Sequence, residues 1–356
     1  MALVRKELYY MLKWKLLLLG LLSLTIVNCR ARRPTGQIDQ GSQSLDYCEQ
    51  YKERCECSDS VCNIQIPGLT KNLNNLWASA DDNLWIVGDS GTLIHFNGQE
   101  FINQNTDQYG NQFGYNDFHA ITLGNDSGFV MGTFLFTLQY NNGWKKVDLK
   151  TTTPVDSTFA PKIYNLWGSY DARVFATAQD GIILEQTGPT SFKYNLVDLD
   201  KRDFYSVHGN KEKQVWAVGE QSVIAHFDGQ TWKKENIANY NKVIDLNDVY
   251  ALSENVVISV GEMGTVLMRD NDTWKDISKN LLGDQETRRL QGVCAKGSRI
   301  FIIGEKGTLL MWDAELNQLK DLSLRVGYSI NEIWCDRTTS YVWAVADQGH
   351  VIRIRL

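Results

Sequence analysis

Three groups of side chains in this sequence are suited to chemistry, and their spacing limits what each can do. The five histidines, His95, His119, His208, His226 and His350, form no short-spaced pair. No local metal-binding or general-base couple is therefore written into the chain. Beyond Cys29, six cysteines fall into a cluster, Cys48, Cys55, Cys57 and Cys62, and a distant couple, Cys294 and Cys335. An even number would suit disulfides if the chain is exported, and the four clustered cysteines allow three pairings among which sequence does not choose. A zinc knuckle would want two separated Cys-x-x-Cys pairs, and the spacing lacks them. The third group is a recurrent carboxylate: Asp89, Glu220, Glu262, Glu305 and Asp347 each follow a small residue that closes an apolar run. Sharing one face, they would form a ring able to attract a cation or a basic partner. At separations around 12 Å each pair repels by only roughly 0.3 kcal/mol, so the same ring also stands as ordinary turn chemistry. The sequence holds no Gly-x-Ser-x-Gly elbow, no phosphate-binding loop and no His-Glu-x-x-His.

The elements that must position these groups follow from a repeat. The small residue recurs as Gly88, Gly132, Ala178, Gly219, Gly261, Gly304 and Ala346, in steps of 41 to 46 residues. Three positions earlier stand Trp85, Phe129, Phe175, Trp216, Ile258, Phe301 and Trp343. An earlier apolar column reads Leu76, Ala120, Leu166, Val207, Val249, Val293 and Ile333. Each copy contains short β-branched and aromatic runs broken by Gly, Asn and Asp, which is strand and turn chemistry. Four strands per copy at this period predict an all-β, seven-bladed β-propeller of four-stranded antiparallel blades. The seventh copy stops at its third strand, Val351–Leu356, so a strand near Cys62–Ile66 is expected to complete that blade and close the ring without an open edge. His95 and His226 fall in one column of blades one and four, too far apart around the ring to share a ligand.

Ahead of the ring, Arg5, Lys6, Lys13 and Lys15 flank an apolar run, Leu16–Val27, of about 12 residues; a bilayer-crossing helix needs roughly 20. This is the pattern of a signal peptide. The ending Ile26-Val27-Asn28-Cys29 resembles a bacterial lipobox, which implies diacylglycerol on Cys29 after cleavage. The expected organisation is a signal peptide over 1–28, a lipidated tether and Cys-rich segment over 29–61, and the propeller over 62–356. Two insertions, Gln104–Asn116 and Lys150–Lys162, have length without core residues and are expected contact loops, the first through Tyr109, Phe113 and Tyr115.

The run Val215-Trp216-Ala217-Val218-Gly219, with Ile224-Ala225-His226-Phe227-Asp228-Gly229-Gln230-Thr231-Trp232, resembles the repeats of exported bacterial propellers of the BNR or Asp-box-like class. That resemblance implies the propeller fold. It also admits a sialidase-like, glycan-hydrolysing or glycan-binding function, for which an arginine triad, a Tyr–Glu pair and an acidic donor would be needed; no matching set is legible. A net charge of −6 argues against a nucleic-acid surface. The function expected is a non-enzymatic, lipid-anchored cell-envelope module that binds another protein, with no cofactor and no metal; a glycan ligand is the second reading.

Overall fold

The computed structural model describes residues 47–356 apart from 59, 106–115, 125–126, 142, 152–159, 169–172, 212, 239, 284–286 and 337. It is a seven-bladed β-propeller. Blade one is built of Leu73–Ala80, Asn83–Gly88, Thr92–Phe96 and Phe101–Asn103, running in that order from the axis outward. The inner strands of the following blades are Phe118–Leu123, Ile163–Gly168, Phe204–Lys211, Leu246–Ala251, Leu290–Lys296 and Ile330–Trp334. Each packs against the inner strand of the next blade, and the seventh packs against the first.

A four-stranded blade has two apolar faces and can bury neither alone. Along Gln214–Gly219, Val215 and Ala217 pack toward blade three while Trp216 and Val218 pack toward blade five, the period-2 alternation of a strand covered on both sides. The aromatic column Trp85, Phe129, Phe175, Trp216, Phe301 and Trp343, with Ile258, points in every blade into the junction with the following one. All seven are buried. Each such side chain, removed from water, contributes roughly 1.5–3 kcal/mol, and the contribution is repeated at all seven junctions. Strand pairing corrects one member of the apolar column on the inner strands. The register sets Ile121 opposite Val130, as it sets Leu76 opposite Ile86, so Ile121 rather than Ala120 belongs there. The first hairpin differs in length between blades, so the paired residues are ten apart in blade one, Leu76 and Ile86, but nine apart in blade two, Ile121 and Val130, and this displaces a sequence count by one.

The small-residue column also has a steric cause. The N–H of the residue after it bonds to the carbonyl of the residue before the inner strand, as Glu220 does to Asp203 and Glu262 to Asp245. That brings backbone against backbone: a Cβ placed on Gly219 would lie 1.9 Å from the Asp203 oxygen. In blade seven Ala346 is accommodated at φ −140° and ψ 176°, against φ −176° and ψ −144° at Gly219.

Blade seven contains Ile330–Trp334, Tyr341–Ala346 and His350–Arg355, and Val61–Gln65 pairs antiparallel with the last of these from Val61 opposite Ile354 to Gln65 opposite His350. A fifth strand, Cys55–Cys57, lies outside it. Before that, the short helix Tyr47–Gln50 lays Tyr47 edge-on to Phe96 and Phe101 of blade one, with centroids 5.6 and 5.3 Å away. The second insertion adds Lys150–Thr151, parallel to Ser191–Phe192, at the outer edge of blade three.

Two outcomes follow for thermal unfolding monitored by circular dichroism. Gly219→Ala is expected to destabilise by about 1–3 kcal/mol, since the added methyl meets backbone that has no room to give, whereas Ala346→Gly is expected to cost under about 1 kcal/mol. Deletion of residues 60–67 is expected to lower the midpoint of the single transition of the whole ring, not to release one blade.

Candidate functional site

The seven inner strands converge on the axis, and a shared bulge decides what they present there. In each blade the register shifts between the first residue of the inner strand and the third. A bulge re-aims consecutive side chains. The first residue, such as Leu73, Phe204 or Leu290, is buried. The second forms a polar ring, Asn74, His119, Tyr164, Tyr205, Asn247, Gln291 and Asn331. The third forms a deeper one, Asn75, Ala120, Asn165, Ser206, Asp248, Gly292 and Glu332.

The upper ring joins blades to one another. Asn74, Asn247 and Asn331 each donate an Nδ2 hydrogen bond to the first inner-strand carbonyl of the next blade, Phe118, Leu290 and Leu73, at 2.8–2.9 Å. The tyrosines reach one residue further back: Tyr164 Oη donates to Asp203 at 2.6 Å, and Tyr205 Oη to Asp245 at 3.4 Å. Burial, and then the neighbouring carboxylate, raise both phenols well above the ordinary value, so both stay protonated donors. Their rings meet edge to face at 5.1 Å. His119 has its Nε2 3.2 Å from Thr133 Oγ1, and its proton affinity is lowered first by burial and then by Lys162.

The lower ring is dominated by two acids. Asp248 accepts from Ser206 Oγ at 2.5 Å on blade four, from its own strand at Val249 N, and from Val293 N on blade six at 2.7 Å. Glu332 crosses the axis: its Oε2 accepts from Asn75 of blade one and Asn165 of blade three, at 3.2 and 3.5 Å, while Oε1 takes the N–H of Ile333. Between them they tie together six of the seven blades at mid-channel. Burial drives both carboxyls upward, Asp248 to about 6 despite its three donors, and Glu332 well above its ordinary value, where the charge of Asp248 adds to the effect of burial. Above this floor opens a cavity of about 380 Å³ lined by Tyr164, Tyr205, Asn247, Arg289, Gln291 and Asn331. Arg289, exposed at its rim, donates to Asn247 Oδ1 at 2.9 Å. The arrangement is a shallow polar cup closed below by carboxyls, and its six lining side chains offer hydrogen-bonding groups to a ligand.

The sequence-derived carboxylates lie in the tight turns on this same face, and three of them carry local bonds. Asp89 accepts from Asn74, Asp347 from Asn331 and Ser329 N, and Glu220 from Asp203 N. Those turns carry left-handed backbone at Ser90 and Gly91, φ 54° and 74°, and the strained Ser90 N–H is used by Asp117 of the next blade. Glu262 and Glu305 hold equivalent turns through their N–H groups. Cys29, Tyr109, Phe113 and Tyr115 lie outside the described residues. The cysteines form three disulfides: Cys48–Cys55, Cys57–Cys62 and, between the inner edges of blades six and seven, Cys294–Cys335. At the opposite end of the channel the partly buried His208 lies 4.2 Å from the Tyr250 ring, tilted against it by 32°, and is pushed down to about 3 by desolvation. Sequence reasoning missed the two axial rings. Their signal was the recurrence of Asn-Asn-Leu at 74–76, Asn-Asp-Val at 247–249 and Asn-Glu-Ile at 331–333.

No family model and no curated protein matches this chain. Among solved structures, a complex titled YCF48 bound to D1 peptide superposes with a TM-score of 0.66 at 14% identity, covering 85% of this chain and 97% of that one. A catalytically inactive virginiamycin B lyase from Staphylococcus aureus, with quinupristin, gives 0.68 at 10% identity over 83% and 99%. The WD40 propeller of Doa1 gives 0.61 at 14% over 81% and 94%. At these identities the likeness is one of fold.

The axial carboxyls make a signed prediction. A carboxyl whose folded value is raised holds its proton after the unfolded chain has lost it, so its contribution is complete below the unfolded value, near 4, and is lost as pH rises through the folded one. Glu332→Gln, which keeps the neutral shape, is therefore expected to gain stability relative to wild type as pH rises above the unfolded value, by at most about 1.4 kcal/mol per unit, until the raised folded value is passed. Urea unfolding at several pH values measures it; a pH-independent difference would mean that Glu332 is ionised throughout.

Proposed function

We propose that this chain is a non-enzymatic, exported protein-binding module, anchored to the cell envelope by a lipid on Cys29, and that the cup and turns of the axial face form its contact surface. The observation that carries this reading is the cup itself. Five of its six lining side chains, Tyr164, Tyr205, Asn247, Arg289 and Asn331, are already committed to inter-blade bonds, so the surface is largely preorganised and costs little ordering entropy on binding. A pocket mixing apolar ring surface from Tyr164 and Tyr205 with a few fixed polar groups is the usual composition of a recognition site. Function is not inferred from the fold, which hosts many activities; propellers of similar shape, including one bound to a peptide and a WD40 domain, are consistent with a protein-interaction scaffold. The six residues lining the cavity include one arginine, Arg289, so the triad that a sialidase-like reading requires has no counterpart in that lining. Three disulfides accord with an oxidising compartment.

Affinity capture from crosslinked envelopes tests the proposal. One stoichiometric protein partner is expected with wild type, reduced at least about tenfold by the exposed charge reversal Arg289→Glu, and lost from the membrane fraction with Cys29→Ala. Recovery of polysaccharide and no protein would replace this reading with glycan binding.

A further inference from the structure

The N-terminal cysteine quartet is more than a pair of staples. The sulfurs of Cys48, Cys57 and Cys62 all lie within 4.8 Å of one another, although Cys48 is bonded to Cys55 and Cys57 to Cys62. The two disulfides therefore touch. Their exposure is graded: Cys57 is exposed, Cys62 intermediate and Cys48 buried at 8%. A fifth group completes the arrangement. Arg353, itself only 8% exposed and held over the Tyr341 ring at 4.7 Å, directs Nη2 toward Cys62 Sγ at 3.9 Å.

We infer that this quartet is a thiol–disulfide exchange site whose substrate class is a dithiol reductant. The thiolate of the incoming dithiol attacks the exposed Cys57 sulfur, forming a mixed disulfide and expelling Cys62 as a thiolate. A guanidinium beside a sulfur favours the thiolate, which makes Cys62 the better leaving group. The Cys62 thiolate then attacks Cys48, forming Cys48–Cys62 and releasing the Cys55 thiolate, which takes up a proton. The second thiol of the reductant resolves the mixed disulfide, leaving the Cys57 thiol. Two electrons have passed from the dithiol, now an internal disulfide, and the quartet holds one disulfide and two thiols. The link has moved from the Cys55–Cys57 edge strand to the segment Tyr47–Gln50, tying that segment directly to the strand Val61–Gln65. Cys294–Cys335 lies at the inner edges of blades six and seven, with Cys294 buried at 1%, and stays outside the exchange.

The test uses the full-length oxidised chain, treated with a substoichiometric amount of dithiothreitol, quenched with an alkylating agent and mapped by mass spectrometry. The expected result is a Cys48–Cys62 crosslinked peptide, with Cys55 and Cys57 alkylated and Cys294–Cys335 intact. Alkylation of Cys57 and Cys62 with Cys48–Cys55 retained would overturn the relay, and so would no reaction at the quartet. Appearance of the new link is expected to slow by roughly threefold or more in Arg353→Gln at neutral pH and to be largely kept in Arg353→Lys; equal rates in all three chains, folded by circular dichroism, would remove Arg353 from the scheme.

Discussion

No blade of this protein can bury both of its faces, and the rest of the structure depends on that constraint. The answer is a repeated contact in which an aromatic or Ile from the second strand of one blade enters the junction with the next: Trp85 toward blade two, Trp216 toward blade five, Trp343 toward blade one. Because every junction needs its neighbour, the core is cyclic, and the last contact must be made between segments far apart in sequence. Stability is thus shared around the ring, as nearest-neighbour coupling requires in a repeat protein.

Closing a ring of sheets leaves seven inner edges facing one another with unpaired backbone groups, and the axial face is the solution to that problem. The bulge that opens each inner strand projects two side chains toward the axis, and these satisfy the orphaned groups: Asn side chains take the next blade's carbonyl, and Asp248 takes the Val293 N–H. The same bonds form the rigid wall of the cup. A surface suited to recognition therefore arises from groups whose first role is to join blades, and Glu332 and Asp248, which close the cup below, are held with raised proton affinity because burial at the axis disfavours their charge.

Fold and site were legible to different degrees. The blade count and the aromatic column stood out in the sequence because each repeat meets the same steric demand, as Gly219 and Gly304 against their backbone neighbours illustrate. The recurrent acids at Asp89 and Asp347 were visible for the same reason, but their bonds to Asn74 and Asn331 were not, since these cross the bulge that shifts the register. Glu332 gave little warning: its partners Asn75 and Asn165 lie 257 and 167 residues away, and nothing local distinguishes it from a solvated glutamate.

The sequence by itself therefore determined the number of blades, their strand order and the faces they bury, because period-2 alternation and the 41–46-residue repeat are local properties of the chain. Tertiary structure alone decided which cysteines pair, which polar residues meet at the axis, and that Arg353 stands beside Cys62. Those are contacts between segments brought together only by closing the ring, and their energies depend on distance and burial, which no spacing along the chain encodes.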